Sequence, residues 1–259
     1  MNSKMLLYFS LLASIELTWG LKLAIASANP KILGGDDAPD GAIKYQVSLQ
    51  NVGSHFCGGS IIDKEWVVTA AHCTYNRPAQ SFKVAVGINK LSDEGQKYTP
   101  DKVIVHEKFD EKLFTNDISL VKIESGIELN DRVNPVGLPT TNINPGDTLI
   151  LTGWGRLSND GPLPNKLQIV EVTAITTNQC KIKYSFYKQP ITPKHLCTRA
   201  PPREGSCQGD SGGPLVRNGT LAGLVSWGTR SCGHSIVHPD VNTRVYSFVN
   251  WIKDTMNKN

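Results

Sequence analysis

Apolar positions fall in short runs along most of this chain. The segments YQVSL (45–49), WVVTA (66–70), FKVAVG (82–87), KVIVH (102–106), ISLVKI (118–123), TLILTGW (148–154), KLQIVEV (166–172) and TLAGLVSW (220–227) are rich in Val, Ile and Leu. Gly, Pro, Asn or Asp lies between them. Runs this short, bounded by turn residues, read as strands rather than helices. Their regular recurrence predicts an all-β sandwich or barrel. One segment breaks the pattern. YSFVNWIKDTM (246–256) sets Phe248, Trp251 and Ile252 at helical spacing, which predicts a C-terminal helix docked on the body. No linker-like stretch divides the chain, so two sheets or barrels sharing one compact unit are expected.

The first residues follow another plan. Lys4 precedes an apolar stretch from Met5, and small residues follow. A basic start, an apolar middle and a small-residue exit make a secretory signal, placed at 1–28, with Gly20, Ala26 and Ala28 as candidate exit residues. Glu16 and Lys22 interrupt the apolar run before it reaches the ~20 residues of a spanning helix. The expectation is a secreted, extracellular protein without a membrane anchor. Six cysteines, an even number, suit an oxidising compartment and suggest three bridges of undetermined connectivity. No CxxC or CxxH pair points to zinc. A net charge of +4 over 259 residues, with no basic stripe, argues against nucleic acid as a partner. Asn218-Gly219-Thr220 is a glycan acceptor tripeptide.

Three residues carry candidate chemistry. Ser211 lies among glycines in GDSGG, a turn that leaves room for a substrate and can aim backbone N–H groups at one point. A serine hydroxyl is a poor nucleophile until a base takes its proton. His72, in VVTAAHCTY, directly follows a predicted strand, and Asp117, in TNDISLVKI, opens another. Alone, each has an ordinary explanation as a surface turn, a core histidine or a turn carboxylate.

Together with their neighbours they resemble a known family. ILGG (32–35), TAAHC (69–73), NDISL (116–120), TGWG (152–155), GDSGGP (209–214) and SWG (226–228) occur in the order found in trypsin/chymotrypsin-like serine endopeptidases. The resemblance runs from Ile32 to the C-terminus. It implies two packed six-stranded antiparallel β-barrels with a cleft between them. It implies Ser211 as nucleophile, His72 as general base and then acid, Asp117 as the residue orienting His72, and the N–H groups of Gly209 and Ser211 as the oxyanion hole, following the family's own template. Ser226 would support Asp117, and the backbone of Ser226, Trp227 and Gly228 would pair with an extended substrate. The implied bridges are Cys57–Cys73, Cys180–Cys197 and Cys207–Cys232. Residues 29–31 become a short activation peptide before a protease domain at 32–259. Cleavage after Lys31 by a trypsin-like protease would free the amine of Ile32 to pair with Asp210. The short bridge set and the C-terminal VYSFVNWI are most like insect chymotrypsins of digestion or venom. Protein or peptide substrates and protein protease inhibitors are the expected partners of a monomer that needs no metal or cofactor. Asp93 and Glu94 are adjacent rather than spaced, so no calcium loop is indicated.

Substrate preference turns on the pocket. Where trypsin-like members carry an aspartate two residues before the pocket cysteine, this chain has Gly205, followed by Ser206. An uncharged floor favours apolar side chains, and Gly228 leaves room for a ring. The preference expected is chymotrypsin-like, for large apolar or aromatic residues. Asp240 stands where the family usually has glycine. Either it recruits a lysine side chain, or it is held by hydrogen bonds or protonation and shortens the slot.

Overall fold

The computed structural model describes residues 35–229 and 232–259. The signal sequence expected at 1–28, the activation peptide expected at 29–31, and Ile32 therefore lie outside the described residues. The N-terminal sheet holds seven antiparallel strands in the order β6-β5-β2-β3-β4-β8-β7. These are β2 (Gln46–Asn51), β3 (Ser54–Asp63), β4 (Trp66–Thr69), β5 (Lys83–Val86), β6 (Gln96–Tyr98), β7 (Lys102–Val105) and β8 (Ser119–Lys122). The C-terminal sheet comprises β9 (Thr148–Gly153), β10 (Gln168–Ala174), β11 (His195–Arg199), β12 (Pro214–Arg217), β13 (Thr220–Trp227) and β14 (Asp240–Arg244), with β1 (Asp36–Asp37) added at β10. Pairing of β9 with β10 closes this second sheet into a six-stranded barrel. Among the described pairings β6 and β7 do not meet, so the first sheet curls without closing.

Alternation explains how the barrels fill and how they touch. On β2, Val47 and Leu49 enter the first core with Ile61, Val67, Val84 and Val121. Successive strand residues face opposite ways, so Gln46, Ser48 and Gln50 face outward, yet they too are buried. Their polar atoms are satisfied at the seam: Thr152 donates to Gln46 Oε1 at 2.7 Å, and Ser48 Oγ bonds His55 Nδ1 at 2.8 Å. Leu149, Leu151, Val170, Val172, Leu196 and Leu215 fill the second core. Arg217 and Thr220 close the β12–β13 hairpin through Asn218 and Gly219, both at positive φ (49° and 74°). Two consecutive positive φ values are what a tight two-residue hairpin demands, and Asn-Gly accepts them readily.

The C-terminal helix forms where the spacing predicts it. A 3₁₀ turn over Val245–Phe248 runs into α3 (Val249–Lys258). Phe248 and Ile252 join one cluster with Trp66, Val68 and Leu120 of the first sheet and Leu221 and Leu224 of the second. The helix thus covers apolar surface shared by both sheets. The sequence pattern missed two short helices, α1 (Ala71–Thr74) and α2 (Thr177–Lys183), the latter started by a capping box between Thr176 and Gln179.

Candidate active site

Ser211 sits in the turn that feeds β12. Gly209 and Gly212 take φ values of +103° and +74°, a region costly for residues with a side chain. Hydrogen bonds fix the turn. Gln208 O accepts from Arg156 N at 2.8 Å, and Asp210 O accepts from Gly213 N at 2.9 Å. Trans peptides set N–H opposite C=O, so the N–H groups of Gly209 and Ser211 turn away from these partners. Among the described residues no acceptor takes either of them, whereas Asp210 N and Gly212 N are bonded to Cys207 O and Val225 O. The first barrel also holds the turn. Gly58 N donates to Ser211 O at 2.8 Å, and His55 Nε2 lies 2.9 Å from Gly209 O.

His72 is placed by α1, directly after β4. The Cys57–Cys73 bridge ties that helix to β3. His72 Nδ1 is 2.7 Å from Asp117 Oδ2, and His72 N donates to Asp117 Oδ1 at 2.9 Å. Ser226 Oγ donates to Asp117 Oδ2 at 2.5 Å, and Thr243 Oγ1 donates to Asp117 O at 2.6 Å. Asp117 is buried. Burial disfavours its charge, but His72 and these donors outweigh that and hold its pKa below the usual value. Burial likewise opposes protonation of His72, and the charge and hydrogen bond of Asp117 overcome it, so the imidazole pKa stands above 6.5. His72 and Ser211 line one cavity of about 300 Å³, together with Ser206, Ser226, Gly228 and Asp240.

Asp240 opens β14 at this cavity. Its Oδ2 accepts from Ser206 N at 3.3 Å. A Cβ on Gly205 would come within 3.0 Å of Oδ2, and one on Gly228 within 3.4 Å of Oδ1. The two glycines thus leave just enough space for the carboxyl between them. Burial raises its pKa to about 7, against the pull of the Ser206 hydrogen bonds. Asp240 keeps some exposure to the cavity, whereas Asp210 is fully buried and accepts from Gly155 N at 2.8 Å and Cys207 N at 2.9 Å. Burial raises its pKa to about 6 despite these donors. Among the described residues no cation pairs with it.

Some contributors escaped the sequence reading. His55 bridges Ser48 and the carbonyl of Gly209, and its ring stands edge-on to Trp154 at 5.6 Å. Gly153 and Gly155 of TGWG are glycines for a packing reason: a Cβ on either would overlap the Asp210 carboxylate. Phe114 stands 5.5 Å from the His72 ring and borders the cavity. Neither a lone histidine nor a lone phenylalanine in sequence signals such a position. The bridges Cys180–Cys197 and Cys207–Cys232 complete three disulfides, with no cysteine left free. Cys57, His72 and Cys73 cluster within 4.8 Å, but both sulfurs are spent in a disulfide, so no thiolate is offered to a metal.

The family model described as Trypsin matches residues 32–252. The chain belongs to the trypsin family. Among its trypsin-family relatives, chymotrypsin-2 of Vespa crabro is 42% identical over 223 residues, covering 86% of this chain and 98% of that protein. Serine protease 1 of Rattus norvegicus is 42% identical over 236 residues, covering 88% and 91%. The solved structure of neuropsin, a serine protease expressed in the limbic system of mouse brain, superposes with a TM-score of 0.80 at 33% identity, covering 87% of this chain and all of that one. This protein is therefore a trypsin-family serine protease on the two-barrel fold, and proteins are its substrates. Trypsin I-P1 of Gallus gallus, at 41% identity, stands level with the hornet chymotrypsin. Overall likeness leaves the pocket preference open. No helix among the described residues is long and apolar enough to cross a membrane.

Proposed function

We propose that this protein is a secreted serine endopeptidase, made as a precursor, that cleaves after large apolar or aromatic residues. The observation that carries the catalytic reading is the hydrogen-bonded series Ser226–Asp117–His72 opening on the cavity that Ser211 also lines. In this reading His72 takes the Ser211 proton as the hydroxyl attacks the substrate carbonyl. Asp117 fixes the imidazole with its proton on Nδ1 and steadies the imidazolium. The freed N–H groups of Gly209 and Ser211 receive the negative oxygen. His72 then protonates the leaving amine, and water repeats the cycle on the acyl-enzyme. Labelling of Ser211 by an organofluorophosphate tests this. A chain that resists labelling while folded and processed would argue for a binding protein instead.

The preference for apolar residues rests on Gly205, Gly228 and a carboxyl that burial keeps largely protonated below neutrality. The placement of Asp240 on the cavity with Ser211 favours a second reading, recruitment of a substrate lysine. A panel of peptides varying only the residue before the scissile bond (Phe, Leu, Ala, Lys, Arg) separates them. With Asp240→Gly, cleavage after Phe is expected to hold or rise. A large loss of lysine cleavage in that variant would reverse the assignment.

The precursor reading rests on Lys31-Ile32 and on a buried Asp210 that no cation pairs among the described residues. Cleavage after Lys31 would supply the amine of Ile32, ordering the turn that Asp210 anchors. Blocking the site with Lys31→Gln should leave the chain inert, and full activity in the uncleaved chain would refute it.

A further inference from the structure

The segment joining β7 to β8 enters Asp117 by a costly backbone route. Phe114 and Asn116 both take φ of 51°, the left-handed region. Asparagine tolerates it, whereas a bulky aromatic residue is a clear outlier there. Such a conformation persists where surrounding contacts fix it.

The fixing contact comes from the second barrel. His195, the first residue of β11, is 2% exposed, and its Nε2 lies 3.2 Å from Phe114 O. Its Nδ1 accepts from Thr192 N at 3.0 Å. A backbone N–H aimed at Nδ1 assigns the neutral tautomer with its hydrogen on Nε2, and that hydrogen is donated to Phe114 O. Burial agrees with a neutral ring: together with Arg244 it holds the pKa below 6.5, against Phe114 O and Asp117. The imidazole stands edge-on to Trp227 at 6.4 Å, and the carbonyl of His195 accepts from Arg244 Nε at 3.2 Å and Nη2 at 3.1 Å. Neighbouring Lys194 reaches the same segment, its Nζ donating to Asn116 Oδ1 at 2.7 Å, but from an exposed position. His195 makes its bond from the interior.

What the bond holds is a ring beside the candidate base. The Phe114 ring lies 5.5 Å from the His72 ring, inclined at 60°. Asp117 fixes His72 at Nδ1, and the phenylalanine limits how far the imidazole can swing about that bond. We propose that His195 is a positioning residue for His72: it latches the carbonyl of Phe114 and, through the aromatic ring, keeps the imidazole in the orientation set by Asp117. The inference rests on the reading of His72 as general base.

Hydrolysis of a small ester of one amino acid tests this, because such a substrate has no residue on the N-terminal side to lie against Phe114. His195→Phe removes both ring nitrogens at similar volume and should lower kcat about tenfold with KM little changed. His195→Gln, whose amide nitrogen can stand in for Nε2, should recover most of the loss. Phe114→Gly accepts the same backbone angle without the ring and should lower kcat as His195→Phe does. Adding His195→Phe to it should cost little more, since both act through one ring. Amide hydrogen exchange of residues 108–116, followed on Ser211→Ala protein, should speed up with His195→Phe and stay slow with His195→Gln.

Faster exchange with kcat unchanged overturns the positioning role. So does an equal kcat loss in His195→Phe and His195→Gln. An unchanged kcat in Phe114→Gly overturns it even where His195→Phe fails to fold. An unmodified enzyme that hydrolyses no ester, with exchange responding as expected, refutes the catalytic reading and leaves the latch on Phe114 standing.

Discussion

Asp117 is the residue on which the site's electrostatics turn. It takes donors from Ser226 Oγ, His72 N and the His72 ring while wholly buried. Asn at this position would present an amide where Nδ1–H needs an acceptor, favouring the wrong tautomer. In the type case of such a triad this change costs about four orders of magnitude in kcat, and a similar loss is expected for Asp117→Asn in burst or steady-state assays. The pH profile should move as well. In the proposed mechanism neutral His72 is the active form, so kcat/KM should rise with pH through a midpoint above 6.5. Without Asp117 only the desolvating effect of burial remains, and the midpoint of the residual activity should fall. Asp240 is linked to stability in the sense opposite to Asp117, whose pKa is lowered. Its folded pKa of about 7 lies above the ordinary 3.8, so the native state holds this proton more tightly than the unfolded chain. Its contribution to stability is present at acid pH and declines as pH rises through that window. Asp240→Asn should flatten this decline in urea titrations at pH values spanning it.

At the scale of elements, glycine and buried polar residues decide both what functions and what can be read. A Cβ on Gly155 would overlap the Asp210 carboxylate, so Gly155→Ala should displace that anchor and cut kcat/KM severely while secondary structure by circular dichroism is kept. β2 and β5 were readable because Val or Leu enters a core at alternate positions, and β13 because Leu221, Ala222, Leu224 and Val225 form an apolar run that supplies two cores. β3 was not, although it is the longest strand. Its centre, Cys57-Gly58-Gly59-Ser60, lacks alternation because a Cβ on Gly58 would strike the backbone of Gly213 and one on Gly59 would crowd Val67. Close approach of the barrels replaced the hydrophobic signal. β11 and β14 escaped for a second reason. Thr198, Asn242, Thr243 and Arg244 are buried there and satisfied by hydrogen bonds, such as Asn242 Nδ2 to Leu196 O at 3.0 Å, and polar residues do not score as core. The candidate triad was legible only through its company of motifs, since neither the contact of His55 with Gly209 O nor the position of Phe114 leaves a trace in local pattern.

For the whole molecule the C-terminal helix is the clearest test of assembly. Ile252 is fully buried in the cluster shared by both sheets. Ile252→Ala should cost about 2–5 kcal/mol, seen as a lower urea midpoint, with kcat/KM little changed under conditions where the protein stays folded. The site itself straddles the seam. The bond from Gly58 N to Ser211 O, that from Thr243 Oγ1 to Asp117 O, and His55 beneath Gly209 each join one barrel to the other. A consequence concerns the cell that makes the protein. While its second barrel is still being synthesised, or after the two halves have come apart, the chain owns every reacting group of the half it has folded and can cut nothing. On the proposed function, complete assembly is a condition that precedes even the cleavage after Lys31, so a misfolded or truncated copy is harmless to its neighbours before any inhibitor meets it.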